Sequence, residues 1–265
     1  MVVLVEVADG VAMVTLNRPE ARNAISAELN RELGRAVTEL DARGDVGCMV
    51  LTGADPAFCA GVDLKDLSRE DRSVQRDRLA NPATHVGMIP PHETPIIAAV
   101  NGAAVTGGFE IALNCDFLIA SERARFSDTH ARVGVMPGGG LTVRLPQLIG
   151  PDRARRMSFT GDYIDAETAY VWGLVVEVVP HESLLARALE IAAAVVSIPD
   201  EHVREIRRMY DQIGALSGQE AWEAESAWSR RWMSERFDQS RLAAEREKIM
   251  ARGRAQTAGL DGASA

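Results

Sequence analysis

Two glycine-bearing turns, about fifty residues apart, carry the residue types needed to hold a negatively charged oxygen. The first reads Ala57-Phe58-Cys59-Ala60-Gly61-Val62-Asp63-Leu64. The second reads Asn101-Gly102-Ala103-Ala104-Val105-Thr106-Gly107-Gly108-Phe109-Glu110. Each follows an apolar, strand-like run. Such turns can aim backbone N–H groups outward, and two together can form an oxyanion hole. Glycine permits the approach because no side chain blocks it. If Gly107-Gly108 opens a helix, the positive end of its dipole adds to the effect. Tight turns alone would also account for these glycines. Neither turn is a phosphate-binding loop, which ends in Gly-Lys-Ser/Thr, and Gly138-Gly139-Gly140 lacks the lysine too.

Glu110 lies one short turn beyond the second site, in the otherwise apolar run Phe109-Glu110-Ile111-Ala112-Leu113. A carboxylate there is paired, serves the helix dipole, or is kept for proton transfer. His130 sits in Phe126-Ser127-Asp128-Thr129-His130-Ala131-Arg132 and is a candidate acid or base. Asp128, two residues earlier, could orient it or cap the helix that follows. A structural role is the alternative for both. Arg18, Arg22 and Lys65 are the basic residues beside the first turn and read as solvated charges. Cys48, Cys59 and Cys115 match no metal spacing and read as small buried hydrophobes.

The elements that must position these residues can be read from periodicity. Val2 to Val7 and Val11 to Leu16, split by Asp9-Gly10, read as a hairpin. Ser26 caps a helix to about Ala42, with Leu29, Leu33, Val37 and Leu40 on one face. Val46 to Leu51, Ile96 to Val100, Phe117 to Ala120 and Val175 to Val179 read as strands. Gly107 to Asn114 reads as a buried helix, and 134–140 as a loop. Residues 65–92 read as a mobile helix and loop. Helices are expected at 141–149, 151–159, 165–171, 181–196, 199–215, 218–235 and 238–252. Strands alternate with helices for about 180 residues and helices follow, which predicts an α/β fold with a helical C-terminal appendage. Trp222, Trp228, Trp232 and Phe237 fit helical packing, within or between subunits.

The 265 residues suit one large domain, with or without an appendage. The net charge of −9 argues against a nucleic-acid or membrane-surface role, because both need concentrated positive charge. The first residues lack a basic, apolar leader pattern and no run of 18 apolar residues occurs. A reducing, cytoplasmic setting is the expectation.

Together these segments resemble the enoyl-CoA hydratase/isomerase (crotonase) superfamily. The likeness rests on Val14-Thr15-Leu16-Asn17-Arg18-Pro19 with Arg22-Asn23-Ala24, on both glycine turns, on Glu110 through Asp116, and on Val133-Gly134-Val135-Met136-Pro137-Gly138-Gly139 with Arg144-Leu145. Order and spacing cover roughly residues 10 to 180. The resemblance implies a crotonase-like spiral of ββα repeats over 1–195, holding an acyl-CoA site. It implies a helical trimerisation region over 196–256, giving a homotrimer or a dimer of trimers; the small, polar residues 257–265 read as a disordered tail. It implies an acyl-CoA thioester whose carbonyl oxygen lies between the N–H groups of Val62 and Gly107. Arg22, Ala24, Ala60, Asp63, Leu64, Gly108 and Thr129 would line the coenzyme A and acyl portions. Coenzyme A enters as part of the substrate, and no metal or other cofactor is expected. Hydratases of the family use two glutamates to add water to a 2-enoyl-CoA. Glu110 matches the first, whereas His130 stands at the second. His130 could donate a proton, help Glu110 position a water, or only bind. The lead reading is a hydratase-like lyase of fatty-acid metabolism. The alternatives are a CoA-thioester isomerase, decarboxylase or hydrolase, or a weakly catalytic acyl-CoA binder.

Overall fold

The protein is described from a computed structural model, which covers residues 1–63, 88–214, 216–237, 240, 250 and 251. Leu64, residues 65–87 of the helix and loop expected over 65–92, the tail, and most of the helix expected at 238–252 lie outside the described residues. Strands β1 (Val3–Ala8) and β2 (Val11–Leu16) form the expected hairpin, with Val3 opposite Leu16 and Ala8 opposite Val11. Asp9 and Gly10 both take positive φ, 51° and 79°. That is the backbone of a type I′ turn, whose twist matches the flanking strands.

Helix α1 (Ala27–Asp41) starts where the Ser26 side chain accepts the Leu29 N–H at 3.1 Å. A cap of this kind contributes about 1 kcal/mol. Leu29, Leu33, Ala36, Val37 and Leu40 form its buried face. Strands β3 (Cys48–Gly53), β5 (Ile96–Val100), β7 (Phe117–Ser121) and β10 (Glu177–Val179) extend the hairpin into a six-stranded sheet. The order is β1-β2-β3-β5-β7-β10, parallel from β2 onward. Both faces are covered, as a parallel sheet requires. Cys48, Val50, Ile97, Ala99 and Ile119 pack with Leu184, Ala188 and Ala192 of one helix. Met49, Leu51, Ile96, Ala98 and Val100 join the larger core on the other face, with α1. Alternate residues of one strand thus serve two cores.

A second sheet of short strands was not foreseen. It contains β4 (Ala57–Cys59), β6 (Ala103–Val105), β8 (Arg125–Ser127) and β9 (Ile164–Asp165), in the order β4-β6-β8-β9. Strands of two or three residues carry too little alternation to be recognised. Each long strand from β3 to β7 leads within a few residues into a short strand of this sheet. After β6 and β8 the chain enters α2 (Gly107–Leu113) and α3 (His130–Val133). The ββα repeat is therefore literal, and it places both glycine turns and His130 just beyond the ends of the short strands.

Helices α4 (Leu141–Ile149), α5 (Pro151–Thr160), α6 (Ala166–Trp172), α7 (Leu184–Val196), α8 (Asp200–Ile213) and α9 (Gly218–Glu235) follow. The chain divides into two compact units, Met1–Arg207 and Arg208–Ala265. In the first, Arg204 pairs with Asp41 at 3.2 Å and Arg207 with Asp116 at 2.8 Å. In the second, the Arg231 guanidinium lies 4.7 Å from the Trp228 ring centroid. No described helix is long and apolar enough to cross a membrane.

Candidate active site

The site is assembled from the two glycine turns, from α2 and α3, and from the 138–141 loop. The first turn is knitted to the segment after the hairpin by backbone bonds. Ala60 N–H donates to the Arg22 carbonyl at 3.0 Å, Ile25 N–H to Gly61 at 2.8 Å, and Asp63 N–H to Ile25 at 3.0 Å. The residues expected to line the coenzyme, Arg22, Ala24, Ala60 and Asp63, are thereby brought side by side. Asn23, wholly buried with φ 56°, ties this segment down. Its side chain accepts from Arg18 N–H at 2.8 Å and donates to the carbonyls of Ala54 and Ala57 at 2.8 and 2.7 Å. Arg18 is not the solvated charge expected. Its guanidinium is mostly buried, donates to the Ala24 carbonyl and pairs with Asp63 at 3.1 Å.

The residue preceding each expected donor has positive φ: Gly61 at 92° and Thr106 at 54°. Positive φ is uncommon for a β-branched residue and costs about 1–3 kcal/mol. In both places it turns the following N–H away from the strand. Among the described residues, neither the Val62 nor the Gly107 N–H has an acceptor within the chain. The two are neighbours: a Cβ built on Gly61 would lie 3.7 Å from the Gly107 nitrogen, and one on Gly107 would lie 3.5 Å from Val62 Cγ2. Two free donors side by side, one at a helix start, suit a developing oxyanion. Thr106 Oγ1 shares a short hydrogen bond with Thr129 Oγ1, which links the second turn to the segment before α3.

Helix α2 is buried along its whole length, Glu110 included. The glycine run 138–140, which has no phosphate-loop lysine, turns out to serve that carboxylate. Glu110 Oε1 accepts from the N–H groups of Gly139 at 2.7 Å, Gly138 at 3.2 Å and Leu141 at 3.4 Å. Charge-assisted bonds of this kind fix the carboxylate plane. Asn114 holds the loop in place, donating to Gly139 O at 2.7 Å and to Glu110 O at 2.9 Å while accepting from Met88 N–H at 3.1 Å. Met88 then spans the site. A Cβ on Gly107 would lie 3.9 Å from its Cε, and one on Gly139 would lie 2.5 Å from its Cγ. Sequence reasoning missed Asn114 and Met88. Asn114 offered a signal, an amide one helical turn after Glu110; Met88 offered none.

The other Glu110 oxygen, Oε2, stands 3.7 Å from His130 Nε2, and both side chains are almost fully buried. His130 Nδ1 is 2.6 Å from Asp128 Oδ1, and the same oxygen accepts the His130 backbone N–H at 3.1 Å. Asp128 therefore holds both the ring and the main chain of His130, while the N-cap of α3 is Thr129, whose side chain makes no capping bond. Burial pushes the Asp128 carboxyl up, but the hydrogen bonds from His130 and the nearby Ser158 hydroxyl outweigh it and leave it below its ordinary value. The thiols of Cys48 and Cys59 are pushed up to about 12 by burial, and that of Cys115 is raised as well, so none is a nucleophile at neutral pH. Among the described residues no group of three or more His, Cys, Asp or Glu could hold a metal ion.

An α/β spiral of ββα repeats, with paired free N–H groups near a buried carboxylate, is a crotonase-type fold. The enoyl-CoA hydratase/isomerase family matches residues 6–251, and the chain belongs to that family. It is 41% identical over 194 residues to the probable enoyl-CoA hydratase of Rhizobium meliloti, covering 73% of this chain and 75% of that one. Among solved structures, the enoyl-CoA hydratase of Mycobacterium smegmatis is 47% identical with a TM-score of 0.73, covering 88% of this chain and 99% of that one. The Bacillus anthracis enoyl-CoA hydratase is 33% identical with a TM-score of 0.85, over 94% and 97% of the two chains.

Proposed function

We propose that this chain is an enoyl-CoA hydratase-like lyase, with the thioester carbonyl oxygen between the N–H groups of Val62 and Gly107. The observation that carries this reading is the Glu110 carboxylate. Three backbone N–H groups hold one of its oxygens, and the other faces His130. Relatives named enoyl-CoA hydratase support the same activity.

In this scheme Glu110 Oε2 takes a proton from water while the water oxygen bonds to C3 of a 2-enoyl-CoA. The π electrons move to C2 and the carbonyl, giving an enolate whose oxygen accepts from the two N–H groups. The proton taken by Glu110 passes through His130 Nε2, 3.7 Å away, and adds to C2 as the enolate collapses, which returns both groups to their starting forms. Arg22, Ala24, Ala60, Asp63 and Gly108 belong to the coenzyme-binding wall, with Thr129 beside the acyl portion. Coenzyme A enters only as part of the substrate.

We extend the proposal to a homotrimer or a pair of trimers built through the C-terminal helices, whose Trp222 and Met233 are exposed on the single chain. A cytoplasmic role in fatty-acid metabolism fits three unpaired cysteines. The test is a screen of 2-enoyl-CoA thioesters, read by loss of the conjugated absorbance and by product mass. A gain of one water supports the reading. An unchanged mass with a shifted double bond, or loss of carbon dioxide or of free coenzyme A, overturns it. Light scattering on the purified chain tests the assembly.

A further inference from the structure

The buried ring of His130 lies between two carboxylates, and its two nitrogens meet them differently. Nδ1 is in a 2.6 Å contact with Asp128 Oδ1, whereas Nε2 is 3.7 Å from Glu110 Oε2, beyond hydrogen-bond distance. An ionised Asp128 can only accept, so the ring atom facing it must carry the proton. Asp128 is itself only 1% exposed. Burying a carboxylate is costly unless it is hydrogen-bonded, and the 2.6 Å bond here is to the imidazole that faces Glu110. The same oxygen also holds the His130 backbone N–H, so ring and main chain are fixed from one point.

We propose that Asp128 is a positioning residue: it pins a proton on His130 Nδ1, which makes Nε2 the ring atom that exchanges protons in the site. This rests on the hydratase reading for the chemistry but not for the tautomer. The second proton-transfer group is then an Asp128–His130 pair rather than His130 alone. The Glu110 carboxylate and His130 Nε2 act on the same side, while Asp128 stays behind the ring and never meets substrate.

Two measurements on the full-length chain separate this proposal from the hydratase reading. The first is the ¹⁵N spectrum of histidine-labelled protein at pH 7. It should show His130, assigned by its absence in His130→Gln, with Nδ1 protonated. In Asp128→Ala the proton should move to Nε2 or exchange between the nitrogens. A wild-type ring with bare Nδ1, or a spectrum unmoved by Asp128→Ala, overturns the proposal whatever the enzyme's activity. The wild-type spectrum alone decides if the variant does not fold. The second is a double-mutant comparison on crotonyl-CoA. Asp128→Asn should lower kcat ~10²-fold with little change in KM. On a His130→Gln background it should cost nothing further. Equal losses on both backgrounds would assign Asp128 a structural role only. Absence of hydration in every form, with the expected tautomer intact, overturns the hydratase reading and leaves the positioning role standing.

Discussion

Gly108 presses its bare Cα against the carbonyl of Cys59: a Cβ there would stand 2.2 Å from that oxygen. Cys59 ends β4, two residues before Gly61, and Gly108 follows the second expected donor. With Gly61, where a Cβ would stand 2.9 Å from the Val105 carbonyl, it brings the two turns into close contact. Gly108→Ala should force the turns apart. We expect a loss of about 1–3 kcal/mol, which lowers Tm by roughly 2–12 °C, together with a fall in kcat. A calorimetric scan showing an unchanged Tm would remove the contact from the account.

Glu110→Gln keeps the shape of the side chain and one acceptor oxygen for Gly139 but removes the base. Hydration of crotonyl-CoA should fall about 10²–10⁴-fold while the circular dichroism spectrum is preserved. If the rate were undiminished, the proton would have to be taken by another group.

His130→Glu restores the two-glutamate pattern of the family's hydratases. Here it would set a third carboxylate against Asp128 and Glu110, whose oxygens lie 2.6 and 3.7 Å from the present ring. Like charges at such distances disfavour ionisation. Hydration should therefore drop by at least about tenfold rather than rise. Combining it with Asp128→Asn should recover part of the loss. Steady-state assays of the two variants decide the matter, and a gain from His130→Glu alone would count against the role given to Asp128.

Asp41, at the end of α1, accepts from the backbone N–H groups of Glu93 and Thr94 and from the Thr94 hydroxyl, and pairs with Arg204. Burial raises its pKa, but these bonds and Arg204 prevail and leave it below its ordinary 3.8. A depressed folded-state pKa stabilises the fold above the unfolded value, and that stability is lost as pH falls through the folded value. Asp41→Asn should therefore cost about 1.5–3 kcal/mol near neutral pH. Its difference from the parent should shrink as pH drops below about 4. Parallel melts at pH 7 and pH 3 showing the same difference would contradict the assignment.

The sequence alone was enough for what repeats locally. The hairpin followed from Asp9-Gly10 between β-branched runs, and α1 from Ser26 with leucines at helical spacing. The long strands followed from continuous apolar runs, and the family from the order of the glycine turns, Glu110 and the 133–139 segment. Charged and glycine residues declare themselves because each breaks a pattern its neighbours keep.

Only the tertiary structure decided who holds whom. The second sheet is made of strands too short to show a period, so pairing across the chain defines it. Gly138 and Gly139 were legible as a loop, but their N–H groups belong to a carboxylate twenty-eight and twenty-nine residues away. Arg18 looked like a surface charge until Asp63, forty-five residues on, proved to be its partner. Asp128 was legible as either an orienting group or a cap, and one of its oxygens holds both the His130 ring and its backbone N–H. Hydrogen-bond ownership depends on distance in space, and a linear pattern carries no record of it. Types and spacings therefore named the candidate groups, while the fold determined which atom of each faces the others.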